Sequence, residues 1–337
     1  MSSFEATGPV VGQGRYRYRA DAAWARVPPG HAWSDVVGVA IDSRGRVYVF
    51  NRGAHPMMVF SADGAFLSSW GDGLISRAHG VTIGPDDAVY CTEDMGHVVR
   101  KFTPDGALLM TLGTPGAPSA TGATSMDFRS IRQAGPPFHF PTNVALGSNG
   151  DIYVSDGYGN ARIHRFTADG RLLGSWGEPG GGPGQFRIPH GIATDARGHL
   201  HVADRENSRI QEFSPDGEYL GERTGVARPC EVAFDAAGNM IVAELGYRAA
   251  MWPGIEAPEP DPTGGRISIF DSGGNLLSRW GGGSNPDAPG DFFAPHDVCV
   301  DARGDLYVSE VAWSAGGIRG EVSPDCHCLQ KFHRLTA

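Results

Sequence analysis

The chain repeats one arrangement of apolar and polar positions about every 40 residues. An apolar run of five or six residues is followed by a turn of Asp and Gly, a second apolar run, and a third run that ends in Phe. The first copy contains Val-Gly-Val-Ala-Ile, the turn Asp42-Ser-Arg-Gly45, Val-Tyr-Val-Phe and Met-Met-Val-Phe. Short apolar runs separated by such turns are typical of β-strands joined in antiparallel hairpins.

Six copies occupy most of the chain, at about 37–71, 79–113, 142–177, 190–225, 230–281 and 296–332. Repeats of this length with four strands each predict an all-β fold, a six-bladed β-propeller with four antiparallel strands per blade. We expect one domain over residues 1–337. The sixth copy lacks its last strand, because only five residues follow Phe332. The strand pattern at 16–27 is predicted to fill that place and close the ring.

Two stretches do not fit the repeat, residues 114–140 and 247–265. The first is rich in Gly, Pro, Ser and Thr, and the second in Pro and acidic residues. Both are predicted to be loops at the rim of the propeller. They either wall a substrate pocket or are disordered inserts, and the sequence leaves their role open.

Charge and composition exclude several classes of partner. The net charge of −10 argues against a nucleic-acid partner. No apolar run is long enough to cross a membrane, and the first 14 residues carry no secretory pattern, so a cytoplasmic location is expected. The five cysteines are expected to be reduced, and Cys326-His327-Cys328 to form an ordinary turn and strand rather than a metal motif.

Histidine recurs at one position of the repeat in alternate copies. The motifs are Ala-His79-Gly-Val, Pro-His190-Gly-Ile and Pro-His296-Asp-Val, in the second, fourth and sixth units. The other three units carry Val37, Thr142 and Cys230 at this position. The innermost strands of a propeller line its central channel, so the histidines are predicted to form a triangle about the axis. Three imidazoles suit Zn²⁺ or a similar divalent ion with a position left open, although passive duplication of a repeat could also have spread the residue.

The turns after the second strands are predicted to lie at the same mouth of the channel. They contain Arg52, Tyr158 and Arg205. Two arginines beside a metal could clamp a carboxylate, which indicates a small carboxylate-bearing substrate. A phenol beside a cation releases its proton more readily, which suits a general base. Solvated or salt-bridged arginines and a packed tyrosine are the simpler interpretations of these residues.

The repeats, with Pro-x-Gly-Val-Ala, Tyr-Val-Ala/Ser-Asp and Arg-Ile-x-x-Phe, resemble NHL repeats. A more specific resemblance is to the lyase domain of peptidylglycine α-amidating enzymes. That domain is a six-bladed propeller, and it cleaves peptidyl-α-hydroxyglycine to a peptide amide and glyoxylate. It covers all six blades, and the following stretches carry it: Asp156-Gly-Tyr-Gly-Asn-Ala-Arg-Ile163, Pro189-His-Gly-Ile-Ala193, Ala203-Asp-Arg-Glu-Asn-Ser-Arg-Ile-Gln211 and Pro295-His-Asp297.

The resemblance implies a role for each matching residue. It makes His79, His190 and His296 zinc ligands and Tyr158 the catalytic tyrosine. It makes Arg52 and Arg205 active-site arginines. It also implies a structural Ca²⁺ site on the axis, formed by Asp297 with the backbone carbonyls of Val39 and Val81.

The chain departs from the family at several positions. Ala294 stands where the family has Met two residues before the last histidine, so the pocket wall differs. Gly159, His201 and Glu212 stand where the secreted enzymes have disulfide cysteines. The loss of these cysteines fits a reducing compartment and weighs against a secreted peptide as the substrate.

Three functions are compatible with these observations. The first is a zinc lyase that cleaves the C–N bond of an N-acyl-α-hydroxyglycine or similar carbinolamide. The second is a metal-dependent lactone or ester hydrolase, which usually has acidic metal ligands that the aligned ring lacks. The third is a non-catalytic NHL scaffold, for which three histidines in alternate blades have no evident use. The sequence leaves open the acyl group of the substrate, the metal loaded and the oligomeric state.

Overall fold

The computed structural model describes residues 7–252, 256–257 and 263–335. It confirms the predicted fold class, since these residues form six sheets of four antiparallel strands, the last extended by one further strand. The first strand of each blade contacts the first strand of the next, and that of the sixth returns to the first. The six innermost strands therefore enclose a central channel.

The N-terminal segment forms β1 (Val10–Gln13) and β2 (Tyr16–Asp21). The first three blades consist of β3 (Val36–Ile41), β4 (Val47–Asn51), β5 (Met57–Phe60) and β6 (Phe66–Trp70); β7 (Ala78–Ile83), β8 (Val89–Glu93), β9 (Val98–Phe102) and β10 (Leu108–Leu112); β11 (Pro141–Leu146), β12 (Ile152–Asp156), β13 (Arg162–Phe166) and β14 (Leu172–Trp176).

A short parallel pair, β15 (Glu178–Pro179) and β16 (Gln185–Phe186), joins blades three and four. The remaining blades consist of β17 (Pro189–Thr194), β18 (Leu200–Asp204), β19 (Arg209–Phe213) and β20 (Tyr219–Arg223); β21 (Pro229–Phe234), β22 (Met240–Glu244), β23 (Arg266–Phe270) and β24 (Leu276–Gly281); β25 (Pro295–Val300), β26 (Leu306–Glu310) and β27 (Leu329–Arg334).

The described helices are short. They are α1 (Ala312–Ala315) and the 3₁₀ turns Phe128–Ser130, Arg205–Asn207 and Gly317–Arg319. Among the described residues, none of the helices has the length and apolar character that crossing a membrane requires. The predicted rim loop 114–140 contains the first 3₁₀ turn. The loop 247–265 separates β22 from β23, and its residues 253–255 and 258–262 lie outside the described part of the chain.

The N-terminal strand β2 supplies the fourth strand of the sixth blade. It pairs antiparallel with β27, with Tyr18 opposite Arg334 and Ala20 opposite Phe332. The strand pattern at 16–27 is too long, because β2 ends at Asp21. There the Asp21 carboxylate accepts a hydrogen bond from Ala23 N (3.1 Å), a local turn contact that competes with strand pairing. The sequence did not indicate β1, which pairs with β2 as a fifth strand.

Apolar side chains fill the spaces between blades. The tryptophans at the ends of blades one, three and five pack against a Phe in the third strand of the following blade. The ring centroids are 5.1 Å apart for Trp70 and Phe102, 6.0 Å for Trp176 and Phe213, and 5.6 Å for Trp280 and Phe332. The recurrent Trp-Gly ending of these repeats is therefore a contact between blades.

Candidate metal centre and active site

Each innermost strand carries a β-bulge near its first residue, at the same place in every repeat. In β25, for example, the pairing register shifts between Pro295 and Asp297. Because a bulge sets an extra residue against the partner strand, two consecutive side chains can turn to the same side. His296 and Asp297 both reach the channel in this way. The six bulges thus produce two rows of side chains, with the aligned histidines in the first row.

The three histidines of the first row meet on the axis. The ring centroid of His79 is 4.9 Å from that of His190 and 4.9 Å from that of His296, and the last two are 4.7 Å apart. One ligand nitrogen from each lies within 4.8 Å of the other two, and all three side chains are buried. The geometry brings together the residues that the repeat alignment predicted to meet.

The residues between the histidines fix the imidazole tautomers. The Nδ1 atoms of His79, His190 and His296 lie 2.7, 2.9 and 2.7 Å from the backbone carbonyls of Thr142, Cys230 and Val37, respectively. A carbonyl can only accept, so each Nδ1 carries the proton and each Nε2 keeps its lone pair free for an ion at the centre. Every carbonyl comes from the first-row residue of the next blade.

Burial keeps the three imidazoles neutral. It lowers the pKa of His296 to about 3 and the pKa values of His79 and His190 well below the ordinary value. Repulsion among the rings and from Arg52 adds to this effect. Neutral imidazole is the form that binds a metal ion, so these residues fit a three-histidine centre for Zn²⁺ or a similar ion.

Tyr158 lies beside this centre, just beyond the end of β12. Its hydroxyl is 3.2 Å from His79 Nε2, 3.1 Å from His190 Nε2 and 3.0 Å from Arg205 Nη1. The guanidinium of Arg205 also stands over the phenol ring, 5.2 Å from its centroid. The phenol oxygen therefore faces both the predicted metal ligands and a cation.

A buried ionic network holds Arg205 in place. Arg205 Nε donates to Glu206 Oε1 (2.8 Å), and Arg228 donates to both carboxylate oxygens of Glu206 (3.0 and 2.9 Å). Although burial opposes the charge, Tyr158 and Glu206 raise the pKa of Arg205 above its ordinary value. Arg228 also donates to the carbonyls of Gly246 and Ala249, so it ties the start of the loop 247–265 to the site. Glu206 belongs to the turn that the sequence places at the channel mouth, but its role as a partner of Arg205 was not predicted, and Arg228 was not indicated by the sequence.

Arg52 approaches the centre from the first blade. Its Nη1 donates to Asp35 Oδ2 (3.3 Å) and to Ser314 Oγ (3.1 Å), and its Nη2 is 3.9 Å from Asp94 Oδ2. Burial lowers the pKa of Arg52, and Arg77, which is paired with Asp94, adds repulsion. Arg52 lowers the pKa of all three histidines, which places its charge close to the ring. Asp35 and Ser314 were not indicated by the sequence.

The second row of channel residues forms a polar cluster. Asp297 accepts hydrogen bonds from Val39 N (2.9 Å) and Val298 N (2.7 Å), and Asn143 Nδ2 donates to Glu231. Burial raises the pKa of both carboxyls, and Asp297 raises that of Glu231 further. The structure thus gives Asp297 a contact with the backbone N–H of Val39.

Glycines leave the space that these polar side chains occupy. A Cβ added at Gly38, Gly80 or Gly191 would lie 3.3 Å from Asp297 Oδ2, 2.7 Å from Asn143 Oδ1 or 2.5 Å from Glu231 Oε1, respectively. A Cβ at Gly38 would also meet Val81, 2.8 Å from its Cγ1. Asn143 and Glu231 were not predicted, although aligning the repeats one residue further would have revealed them.

Ala294, which the resemblance places in the pocket wall, is fully buried just before β25. Its backbone N–H donates to Glu310 Oε2 (3.1 Å), and its carbonyl accepts from Val311 N (3.1 Å).

All five cysteines are free thiols.

Comparison with known proteins identifies the repeat. A model of the NHL repeat matches residues 138–166 and 186–213. The human protein NHL repeat-containing protein 3 is 34% identical over 245 residues, which are 68% of this chain and 67% of that protein. The chain belongs to the NHL repeat family.

Two proteins named for α-amidation are also similar to the chain. Peptidyl-α-hydroxyglycine α-amidating lyase 1 of Drosophila melanogaster is 31% identical over 74% of this chain and 46% of its own length. Peptidyl-glycine α-amidating monooxygenase of Mus musculus is 34% identical over 82% of this chain and 29% of its own length. These relatives confirm the resemblance inferred from the motifs, while the chain spans less than half of either protein.

Solved structures share the architecture at low sequence identity. A gluconolactonase from Xanthomonas campestris has a TM-score of 0.62 and 15% identity, over 96% of this chain and 94% of that one. Virginiamycin B lyase from Staphylococcus aureus has a TM-score of 0.55 and 16% identity, over 90% and 96% of the two chains. At this identity the likeness concerns the fold alone.

Proposed function

We propose that the protein is a metal-dependent lyase that cleaves the C–N bond of an N-acyl-α-hydroxyglycine, or a similar carbinolamide, to an amide and glyoxylate. The observation that carries this proposal is the position of the Tyr158 hydroxyl, within 3.2 Å of two convergent histidine nitrogens and of Arg205. A proton acceptor, a metal-ligand set and a carboxylate-binding cation then share one small site. The Drosophila melanogaster relative that is named as an amidating lyase supports the same reaction class.

His79, His190 and His296 would hold the ion, because each offers a neutral Nε2 toward the same point. A bound Zn²⁺ ion would supply Lewis acidity, which makes a hydroxyl oxygen easier to deprotonate. The proposal of zinc rests on this donor set and on the open position that three ligands leave.

The chain's own residues divide the remaining work. Arg205, and Arg52 on the other side of the ring, bind the substrate carboxylate through charge-assisted hydrogen bonds. Tyr158 as phenolate accepts the proton of the substrate hydroxyl. As the carbonyl of glyoxylate forms, the C–N bond breaks and its electron pair passes to the amide nitrogen. The Tyr158 phenol then returns the proton to that nitrogen, so the base is regenerated.

We further propose a structural Ca²⁺ on the axis beside Asp297, with carbonyl ligands from Val39 and Val81. The resemblance suggested this site. Glu231 adds a second buried carboxylate beside that of Asp297, and a cation here would offset the repulsion between the two acids. Elemental analysis of Asp297→Asn should show calcium lost and zinc retained. A cytoplasmic location remains our prediction.

The competing functions make different predictions. A lactone hydrolase of the gluconolactonase kind shares the fold, but the first row of this channel contains no carboxylate to serve as a metal ligand. The decisive assay supplies α-hydroxyhippurate and measures glyoxylate and benzamide. Stoichiometric release of both that stops with a chelator and returns with Zn²⁺ supports the lyase. Metal-dependent opening of lactones without glyoxylate release would favour the hydrolase, and neither activity would favour a scaffold.

A further inference from the structure

A second set of metal-ligand side chains lies at the opposite end of blade four. Asp195 follows β17, His199 directly precedes β18, His201 is the second residue of β18, and Glu212 lies on β19 directly opposite His201. His199 and His201 are two residues apart along an extended chain, so their side chains share one face. Five residues of strand separate Asp195 from His190, a distance of about 16 Å, so this set is remote from the histidine ring.

Asp195, His201 and Glu212 are close enough to share one ion, and His199 contacts Glu212. His201 Nε2 is 3.2 Å from Asp195 Oδ2, and His199 Nδ1 is 2.7 Å from Glu212 Oε1. Ligand atoms of Asp195, His201 and Glu212 lie within 4.8 Å of one another. His201 is buried against Phe234, and burial lowers its pKa, which keeps its imidazole neutral.

A positive nitrogen already stands between the two carboxylates. Arg197 Nη2 is 2.7 Å from Asp195 Oδ2 and 2.8 Å from Glu212 Oε1. The side chain of Arg197 is 62% exposed, so it can move into solvent at little cost when another cation takes its place. The two carboxylates therefore already bind a cation, the guanidinium of Arg197, and a metal ion could displace it.

The other blades show that this cluster is not inherited from the repeat. At the positions of His201 and Glu212, blades two, three and six carry a tyrosine opposite a basic residue. The basic group stands over the ring in each pair, at 5.2, 5.7 and 4.9 Å from the centroid: Tyr90–Lys101, Tyr153–Arg165 and Tyr307–Lys331. Blade four replaces both partners and reverses the charge of one. Both new residues are of metal-binding types.

We propose that Asp195, His199, His201 and Glu212 form a second binding site for a divalent transition ion, with Zn²⁺ as the ion we would test. Imidazole nitrogen with carboxylate oxygen is a donor set that such ions accept. Because the ligands come from both hairpins of blade four, a bound ion would cross-link β17, β18 and β19. The site is independent of the lyase reaction proposed above.

The test counts zinc ions on the full chain after equilibrium dialysis. Wild-type protein should bind two equivalents. The variant His201→Tyr/Glu212→Lys introduces the tyrosine and basic residue found in blades two, three and six. It should bind one equivalent and keep its glyoxylate-forming activity. The variant His79→Ala/His190→Ala should lose the other equivalent, so failure of either site is seen separately.

Two single variants keep the test decisive if the double variant does not fold. Glu212→Gln should weaken the second zinc equivalent by at least about tenfold. Arg197→Gln should tighten it, because the competing cation is gone; a cluster held only by salt bridges would instead gain no zinc affinity. The proposal is overturned if His79→Ala/His190→Ala binds no zinc, or if Arg197→Gln and Glu212→Gln leave the second affinity unchanged.

Discussion

Tyr158→Phe is the sharpest test of the proposed reaction, because it removes one oxygen atom and little else. That oxygen contacts His79, His190 and Arg205. The phenyl ring of Phe can keep its place under the guanidinium of Arg205. Glu206 still holds Arg205 by a 2.8 Å hydrogen bond, so the carboxylate-binding group should not move.

The expected loss lies in turnover rather than in binding. Positioned general bases contribute about 10²- to 10⁴-fold, or roughly 3 to 5 kcal/mol of transition-state stabilisation. The proton that Tyr158 accepts moves only in the transition state, so kcat should fall by about this factor while KM changes less than about threefold. Glyoxylate release from α-hydroxyhippurate measures both parameters, and elemental analysis checks that the zinc content is unchanged.

Tyr153→Phe is the matched control. Tyr153 lies on β12 of the same blade, and its hydroxyl donates to the carbonyl of Pro215 (3.0 Å), away from the histidine ring. This variant should lose stability of about 1 kcal/mol and no activity. If zinc-loaded Tyr158→Phe keeps kcat within tenfold of wild type, Tyr158 is not the base. A raised KM with unchanged kcat would make it a binding residue instead.

Further predictions concern binding, metal and stability. Arg205→Ala should raise KM for carboxylate substrates by about 10- to 100-fold, since a hydrogen bond to a charged group contributes about 1.5–3 kcal/mol; an equal effect on an uncharged carbinolamide would contradict this role. His190→Ala should lose the zinc equivalent of the histidine ring, as measured by dialysis and elemental analysis, and retention of that equivalent would refute the centre. The buried His296 stays neutral in the folded protein, whereas in the unfolded chain it binds a proton below about pH 6.5. The free energy of unfolding therefore falls as the pH is lowered through this range. The cost of His296→Asn in metal-free urea unfolding should therefore be about 2 kcal/mol smaller at pH 5 than at pH 7; equal costs would refute a lowered pKa. Deleting residues 1–21 should lower the free energy of unfolding by about 4 kcal/mol, because two buried tyrosines are lost, and an unchanged melting temperature would exclude closure by β2.

The fold could be predicted from the sequence because each repeat has the same pattern of apolar runs and turns. Short strands and their turns recur in six copies and the terminal Trp-Gly pair in three, so a doubtful strand in one copy can be assigned from the others. The boundaries of β2 could not be read in this way, since its neighbour β27 is more than 300 residues away and no repeat constrains its end. β1 was missed for the same reason.

The candidate site was predictable where it follows the repeat and not where it depends on contacts between blades. The alignment gave His79, His190 and His296 a common position, and the turns gave Tyr158 and Arg205. Nothing in the local sequence shows that Arg228, in the next blade, completes the carboxylate pairing of Glu206. Such partners come from sequence-distant segments whose side chains converge only in the folded ring.

The alternation of the histidines has a physical explanation in this geometry. Each imidazole needs a backbone carbonyl from the first-row residue of the next blade, and Val37, Thr142 and Cys230 supply it. The three rings already lie 4.7–4.9 Å apart, so histidines in all six blades could not fit around the axis. Passive duplication of a repeat predicts neither the small intervening side chains nor the uniform Nδ1 contacts. Both follow if the channel is built to present three Nε2 atoms to one ion, which supports the metal centre over simple inheritance.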